Sequence, residues 1–159
     1  MSASPPPFQA FLDENREVVW RYLLSAVGAG EAEDCFQETF ISALRAYPRL
    51  REDSNMRAWV LTIAHRKALD AHRRRAHSAQ PVAEIDALDG RVSGPIGDGG
   101  SELWRAVGAL PPRQRSAVAL RFIADLAHRE IAAAIGCSEE AARRSLHEGL
   151  AKLRTEVAV

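Results

Sequence analysis

Residues 76–101 divide the sequence into two parts, and this division most strongly constrains what the chain can fold into. The segment holds five glycines and two prolines and shows no sustained apolar period, which is typical of a flexible linker. It also holds four acidic residues against a single basic one, Arg91. Its 26 residues could span at most about 85 Å if fully extended. The sequence therefore predicts two small domains, at 8–75 and 102–157, joined by a flexible acidic linker.

Apolar residues recur at helical spacing in both predicted domains, and the sequence contains no strand-like alternation. In the first domain the spacing predicts helices over 8–27, from about Glu31 to Ala46, and from near Met56 into a basic run. Residues that interrupt helices separate the predicted helices. They are Gly28 and Gly30, Tyr47-Pro48, Pro111-Pro112 and Gly136. The predicted fold class is all-α, with a helix-turn-helix in the second domain.

Composition excludes several classes of protein. The chain has 21 basic and 21 acidic residues, so its formal net charge is zero. It therefore has no overall positive charge that would indicate a nucleic-acid partner. Cys35 and Cys137 lie far apart without a CxxC pattern, which indicates two small buried residues in a reducing compartment rather than a zinc site or a disulfide. Neither a signal-peptide pattern nor an apolar run of about 20 residues is found. We therefore expect a cytoplasmic protein without membrane insertion or cofactor.

The stretch "REIAAAIGCSEEAARRSL" carries the sharpest local signal. Gly136 permits a tight turn, and Ser138 is a preferred residue at the start of the next helix. The small Ala132 and Ala142 would let the two helices approach closely. The outward face of the second helix then carries Glu139, Arg143, Arg144 and His147. This arrangement favours a DNA-binding helix-turn-helix, and the alternative is a helical hairpin with a solvated polar face.

Residues 66–75, "RKALDAHRRR", hold five basic residues and one acid, Asp70. Together with the upstream Trp59 and the polar loop "EDSNM", the run suits single-stranded or melted DNA. The alternative is a solvated helix end whose arginines favour the carboxyl-terminal dipole. Trp59 itself is expected to be a core residue rather than a base-stacking one.

The chain resembles a bacterial sigma factor of the extracytoplasmic-function group, the two-domain alternative sigma factors. The resemblance covers nearly all of residues 8–157. The motifs that carry it are "AEDCFQETFISAL", "SNMRAWVLTIAHRKALDAHRRR", "ALPPRQRSAVALRF" and "HREIAAAIGCSEEAARRSLH". Their order and spacing make the resemblance more specific than any single motif does.

The resemblance implies that the helix with the D-x-x-Q-E-x-F pattern docks on the clamp helices of the largest subunit of core RNA polymerase. Asp34, Gln37 and Glu38 would form the polar docking face, since acidic and amide groups suit an arginine-rich partner. Phe36 and Phe40 would pack the helix onto its own domain or flank the contact. The alternative is a solvated helix face with local pairs.

The resemblance also implies two promoter contacts. A loop and the following helix would capture a flipped base of the minus-ten element and help to separate the strands. The residues expected there are Asp53, Ser54, Asn55, Met56, Arg57, Arg66, Lys67, Arg73 and Arg74. The helix-turn-helix would read the minus-thirty-five element through Arg129, Ser138, Glu139, Arg143, Arg144 and His147. The acidic linker would thread the polymerase channel that later holds RNA, and an anti-sigma factor that wraps both domains is expected.

Two stretches depart from the family pattern. Arg66 stands where the family often has asparagine, so the family pattern does not predict the base choice at that point. "HEGL" replaces basic residues after Leu146, so the sequence predicts two or three missing phosphate contacts and a weaker salt dependence. Gly149 within a helix also costs roughly 1 kcal/mol against alanine.

Four functions are weighed on these grounds. The first is a non-catalytic promoter-specificity subunit, and the second is a stand-alone helix-turn-helix regulator. The third, a small helical enzyme, is disfavoured because the five histidines and the acids form no pair at metal or triad spacing. The fourth is a polymerase-binding relic that reads DNA poorly, which the "HEGL" departure keeps open.

Overall fold

The computed structural model describes residues 6–51, 55–77 and 101–157 of the chain. Over these ranges it contains seven α-helices, one 3₁₀ turn at Tyr47–Arg49 and no β-strand. The helices are α1 (Phe8–Val27), α2 (Ala29–Ala46), α3 (Met56–His77), α4 (Ser101–Gly108), α5 (Pro112–Phe122), α6 (His128–Ile135) and α7 (Glu139–Val157). The predicted all-α class is confirmed. Of the predicted linker only the ends are described, as the last residues of α3 and the first of α4.

Helices α1, α2 and α3 pack against one another around a core of aromatic and aliphatic side chains. Phe11 is fully buried, and its ring centroid lies 5.2 Å from that of Tyr47 and 5.7 Å from that of Trp59. Such tilted ring pairs stabilise the core beyond the area that they bury. Trp59 thus packs in the bundle, as expected from the sequence.

The break between α1 and α2 lies at Gly28 alone. Its φ of 81° is in the region that favours glycine, and its N–H donates to the carbonyl of Leu24. Gly30, predicted as a second stop signal, lies instead in the first turn of α2. Its missing side chain would point into open space, so nothing in the packing demands glycine there. Helix α2 therefore begins at Ala29, two residues earlier than predicted.

Helices α4 to α7 form the second bundle, and α6 and α7 are its helix-turn-helix. Pro112 stands at the first position of α5, where the absence of an N–H costs nothing. Gly136 ends α6 with φ 76° and ψ 42°, and its N–H donates to the carbonyl of Ala132. Ser138 Oγ accepts a 3.0 Å hydrogen bond from the N–H of Ala141. The predicted turn glycine and helix cap are thus both in place.

The two bundles pack directly against each other. Helix α1 contacts α4 and α5, and α3 contacts α6. Tyr22 of α1 is fully buried, and Ser116 and Arg115 of α5 lie near its hydroxyl. The sequence predicted two bundles but not this contact between them.

Candidate nucleic-acid and polymerase interfaces

Helix α2 presents the predicted docking residues at different depths. Asp34 and Gln37 are exposed, whereas Glu38 is half-buried. Phe40 is 8% exposed and its ring lies 4.8 Å from that of Phe36, so it holds the helix in its bundle. Of the four predicted polymerase-binding residues, three can offer polar atoms to a partner. The fourth, Phe40, packs inside the bundle beneath them.

A groove of about 680 Å³, the α1–α2 groove, runs between α1 and α2 beside this face. Its floor is aromatic, since Trp20 meets Phe36 edge to face with ring centroids 5.7 Å apart. Its walls are mostly charged or polar, and they comprise Asp13, Arg16, Glu17, Glu33 and Gln37. The exposed polar surface that contains the predicted docking residues therefore continues from α2 onto α1, which the motif in α2 alone did not indicate.

Two exposed apolar side chains were also missed by sequence reasoning. Ile41 is 50% exposed and Leu44 is 53% exposed. They follow Gln37 at helical spacings of four and seven residues, so all three lie on one stripe of α2. Adjacent exposed apolar side chains indicate an interaction surface. The signal was available in the sequence as the i, i+4, i+7 spacing from Gln37.

Along α3 the predicted basic residues divide between two environments. Arg66, Arg73 and Arg74 are exposed, while Lys67 is half-buried. Arg66 and Arg73 are seven residues apart and share a helix face, which presents positive charge to solvent. Arg73 also lies 3.6 Å from the carboxylate of Asp70 in an exposed pair.

Arg75, the fifth basic residue of the run, has a structural role. Its Nη2 and Nε donate to Glu31 Oε1 at 2.7 Å and 3.1 Å. This bond joins the last turn of α3 to the first turn of α2 and removes the guanidinium from the solvated face. Arg75 is thus a residue of the bundle rather than of the basic face.

The amino-terminal end of α3 contacts the second bundle. Arg57 Nη1 donates to the carbonyl oxygen of Ala124 at 3.3 Å, and the side-chain amide of Asn55 donates to the carboxylate of Glu130. Glu130 also accepts a 2.8 Å bond from the N–H of Ala127, which caps α6. Met56 is half-buried against the core. Predicted minus-ten residues therefore lie at the junction of the bundles, while Asp53 and Ser54 lie outside the described residues.

Helix α7 has one buried and one exposed face. Ala142, Ser145, Leu146, Gly149 and Leu153 are buried against the bundle. The predicted reading residues are all exposed, and they are Ser138, Glu139, Arg143, Arg144 and His147 on or before α7 and Arg129 on α6. The structure thus exposes all six predicted minus-thirty-five residues, and helical spacing puts Glu139, Arg143 and His147 on one face of α7.

The charges on this surface pair along the helix. Arg143 lies 3.3 Å from Glu139, and Arg144 lies 4.0 Å from Glu140, both at a spacing of four residues. Exposed pairs of this kind contribute little to stability. The arginines can therefore exchange these partners for DNA at small cost.

The "HEGL" departure has a packing reason at two of its positions. Gly149 is buried, and a Cβ there would lie 2.9 Å from Val118 Cγ2 of α5. Leu150 packs against the core. Only His147 and Glu148 face outward, and Glu148 accepts a 3.2 Å hydrogen bond from Gln114. Of the three replaced positions only Glu148 is exposed, so a missing phosphate contact is most directly expected there, and the loss of two or three contacts stays a prediction.

The cysteines are free thiols with different surroundings. Cys35 is buried, and burial together with the nearby Glu31 and Glu38 raises the pKa of its thiol to about 11. A thiol with so high a pKa stays protonated and unreactive at neutral pH. Cys137 is half-buried in the turn after α6. In the described ranges His, Cys, Asp and Glu form no group of three or more that could hold a metal ion, and no helix is long and apolar enough to cross a membrane.

Two family models match the chain, one for each bundle. Sigma-70 region 2 matches residues 11–78, and sigma-70 region 4 matches residues 101–153. The first match runs from the first turn of α1 to the end of α3, and the second runs from the start of α4 to within four residues of the end of α7.

Relatives and solved structures agree with these models. The chain is 31% identical to the ECF RNA polymerase sigma factor SigD of Mycobacterium tuberculosis over 92% of this chain and 74% of the relative. It is 33% identical to the RNA polymerase sigma factor CarQ of Myxococcus xanthus, over 77% and 72% of the two chains. In fold it resembles the sigma factor RpoE, solved in complex with the anti-sigma factor NepR from Bartonella quintana, with a TM-score of 0.81 at 21% identity over 96% and 97% of the chains.

The resemblance drawn from the four motifs is therefore confirmed by sequence over most of the chain and by fold over nearly all of it. The helix-turn-helix belongs to a second domain of this family rather than to a stand-alone regulator. The chain belongs to the extracytoplasmic-function group of the sigma-70 family, the promoter-specificity subunits of RNA polymerase.

Proposed function

We propose that this sigma factor holds core RNA polymerase through α2 and reads the minus-thirty-five element through α7. The observation that most directly supports the proposal is that α7 has one buried face and one exposed face. Its inner face is buried, whereas Arg143, Arg144 and His147 are exposed together beyond a correctly capped turn. A helix held in this way presents donors to the base edges and phosphates of a major groove.

We assign the minus-ten element to α3 and the residues before it. Arg66 and Arg73 supply a positive face, and Asn55 and Arg57 supply polar side chains at the helix start. A base lifted from the stack loses a few kcal/mol of stacking and pairing, so contacts that compensate for it stabilise the open promoter. Arg66 in place of asparagine would then change which base is preferred there. The chain would need no catalytic group of its own and would act in the cytoplasm, where core polymerase and promoter DNA are found.

The function is tested by reconstitution. The purified chain is mixed with core polymerase, the complex is isolated by gel filtration, and it is then offered a library of promoter fragments. Co-elution and recovery of fragments that share two boxes are expected. No co-elution would overturn the polymerase assignment, whereas co-elution with random DNA recovery would leave a subunit that reads promoters poorly.

Docking on core polymerase predicts a charge-sensitive face on α2. Asp34→Arg places a cation where an arginine-rich partner would approach, so we expect about tenfold weaker binding of core polymerase. Binding can be measured by fluorescence anisotropy of labelled chain. Glu14→Arg is the matched control, because Glu14 is an exposed acid on α1 that belongs neither to the predicted docking residues of α2 nor to the lining of the α1–α2 groove. Equal loss in both variants would mean that net charge, rather than this face, governs binding.

We further propose that an anti-sigma factor regulates the chain. The related RpoE was solved with such a partner, and this chain offers an apolar groove of about 460 Å³ in its second bundle. Phe122, 62% exposed, and Leu103, 41% exposed, line this groove. Large exposed apolar side chains of this kind indicate a protein-binding surface. Capture of native partners on the immobilised chain would test the assignment, and a groove variant, Phe122→Asp, should lose them.

A further inference from the structure

The first two turns of α7 place a carboxylate beside a guanidinium on the surface predicted to face DNA. Glu139 is the first residue of the helix, and its Oε1 accepts a 3.3 Å hydrogen bond from Nη2 of Arg143, one turn later. Both side chains are exposed, Glu139 at 51% and Arg143 at 61%. The parallel pair of Glu140 and Arg144 is wider, at 4.0 Å. Glu139 and Arg143 therefore present an acceptor and donors side by side to a molecule that approaches the start of α7.

The backbone that carries this pair is held in place by its neighbours. Ser138 caps the helix one residue before Glu139, and Gly136 supplies the left-handed residue of the turn. Ala142 and Leu146 are buried against the rest of the bundle, which fixes the rotation of α7 about its axis. The pair is thus fixed at the exposed start of the helix, so little backbone order remains to be gained on binding.

An acidic residue at this place is unfavourable for DNA binding unless it contacts a base. Three exposed acids lie beside the arginines of α7, namely Glu139, Glu140 and Glu148. Glu148 already accepts a hydrogen bond from Gln114 of α5. A carboxylate in the major groove is repelled by the phosphates on both sides. The groups there that can donate to it are the amino groups of cytosine and adenine, and the amino group of adenine lies next to the acceptor N7. Cytosine is therefore the base that suits Glu139.

We propose that Glu139 and Arg143 act as one unit that reads a single G·C pair of the minus-thirty-five element, with Arg143 on guanine and Glu139 on the amino group of cytosine. The inference rests on the proposed reading of this element by α7 and adds which base pair the start of the helix selects. In the major groove a G·C pair presents the acceptors N7 and O6 of guanine, followed by the donor N4 of cytosine. A guanidinium has several N–H donors, so Arg143 can bond guanine while it stays beside Glu139.

The same unit opposes the other base pairs. An A·T pair presents an acceptor, a donor and an acceptor, followed by the methyl group of thymine. An N–H of Arg143 would then meet the amino group of adenine, and the carboxylate of Glu139 would meet O4 of thymine. Both contacts place like groups together, which costs more than the loss of a hydrogen bond. Glu139 therefore contributes rejection of wrong pairs more than it contributes affinity.

Removal of Glu139 should have two effects of opposite sign. Because one negative charge leaves the groove, Glu139→Ala should bind duplexes that lack the G·C pair a few-fold more tightly at low salt. Its preference for G·C over A·T at one position should fall about tenfold, which corresponds to one lost base contact. Glu139 also lies in the first turn of α7, where an acid favours the helix dipole. A loss of helix stability alone would weaken binding of every duplex by the same factor, so it cannot produce this pattern.

The test uses the holoenzyme formed by the full chain and core polymerase. Selection from a duplex library randomised over the minus-thirty-five region first defines the site of the wild type and of Glu139→Ala. At each selected G·C pair cytosine is then replaced by N4-methylcytosine, which still pairs with guanine but places a methyl group where the free N–H faced the major groove. Affinities are measured by anisotropy competition. The wild type should bind the methylated duplex about tenfold more weakly at one position, whereas Glu139→Ala should bind both duplexes about equally.

Glu156→Ala is the matched control, because Glu156 is an exposed acid at the far end of the same helix. It removes the same charge and should keep the wild-type response to the methyl group. If the wild type is indifferent to the methyl group, if Glu139→Ala loses as much affinity as the wild type, or if the selected site has no G·C pair, the inference is wrong and promoter reading stands. Recovery of random DNA by the wild-type holoenzyme would overturn the minus-thirty-five assignment itself, and the inference with it.

Discussion

Replacing Arg143 and Arg144 together with alanine is expected to weaken binding of a minus-thirty-five duplex by roughly 30- to 1,000-fold. A good arginine contact to a base edge is worth about 1–3 kcal/mol; taken at about 1–2 kcal/mol each, the two arginines together contribute about 2–4 kcal/mol of binding free energy. The arginines stand on the exposed face of α7 and hold only exposed partners, Glu139 and Glu140. Their removal therefore leaves the bundle intact and affects DNA binding alone.

The effect can be measured by anisotropy with a labelled duplex at several salt concentrations. An arginine that touches phosphate lowers the salt slope by about one when it is removed, whereas one that reads a base relaxes sequence preference at that position. Lys152→Ala is the control, because Lys152 is exposed on the same helix but lies beyond the reading residues. Equal losses of affinity for both variants would show that α7 binds through general positive charge rather than through its reading face.

The helices and their packed faces could be predicted from the sequence because both depend on nearby residues. The spacing of apolar residues fixed α1 and α3 to within a residue or two, and Pro112, Gly136 and Ser138 marked the boundaries in the second bundle. Gly30 was misassigned because a glycine stops a helix only where the backbone needs positive φ, and Gly28 already supplies it.

Contacts between distant parts of the chain could not be predicted in the same way. Helical periodicity identifies which face is buried but not what covers it. His65 and Tyr22 are 43 positions apart, and Arg57 and Ala124 are 67 apart. The sequence around His65, just before the basic run, therefore carried no sign that this histidine would be buried against a tyrosine. For the same reason, the position of Asn55 at the junction of the two bundles could not be predicted from the sequence.

Among the predicted site residues, some positions could be predicted from local spacing and others depended on contacts between helices. The exposed face of α7 followed directly from the spacing of its arginines, because the apolar residues opposite them had to face inward. The "HEGL" stretch was interpreted as a loss of phosphate binding from the family pattern alone. That pattern shows which basic residues are absent, but it does not show what the residues in their place contact. The close approach of α5 at Gly149 becomes visible only when the two helices are brought together.

That close approach predicts a large loss of stability for Gly149→Val. A Cβ at this position would lie 2.9 Å from Val118 Cγ2 and 3.4 Å from Gln114 Cβ, and valine adds two methyl groups beyond it. Val118 is buried and its side chain is short and stiff, so α5 and α7 must separate. Overpacking of this kind costs about 1–3 kcal/mol, which exceeds the few tenths of a kcal/mol that valine gains over glycine in helix propensity. We expect a loss near the upper value, about 2–3 kcal/mol, in urea unfolding followed by circular dichroism.

Ala151→Val provides the matched comparison, because Ala151 is exposed on α7 two residues later and should cost only a few tenths of a kcal/mol. A double-mutant cycle isolates the contact itself. In a Val118→Ala background the methyl group that blocks position 149 is absent, so the loss of stability from Gly149→Val should shrink by at least about 1 kcal/mol. If that loss were unchanged in the Val118→Ala background, the glycine would be needed for something other than the approach of α5. The "HEGL" stretch would then again require an explanation in its contact with DNA.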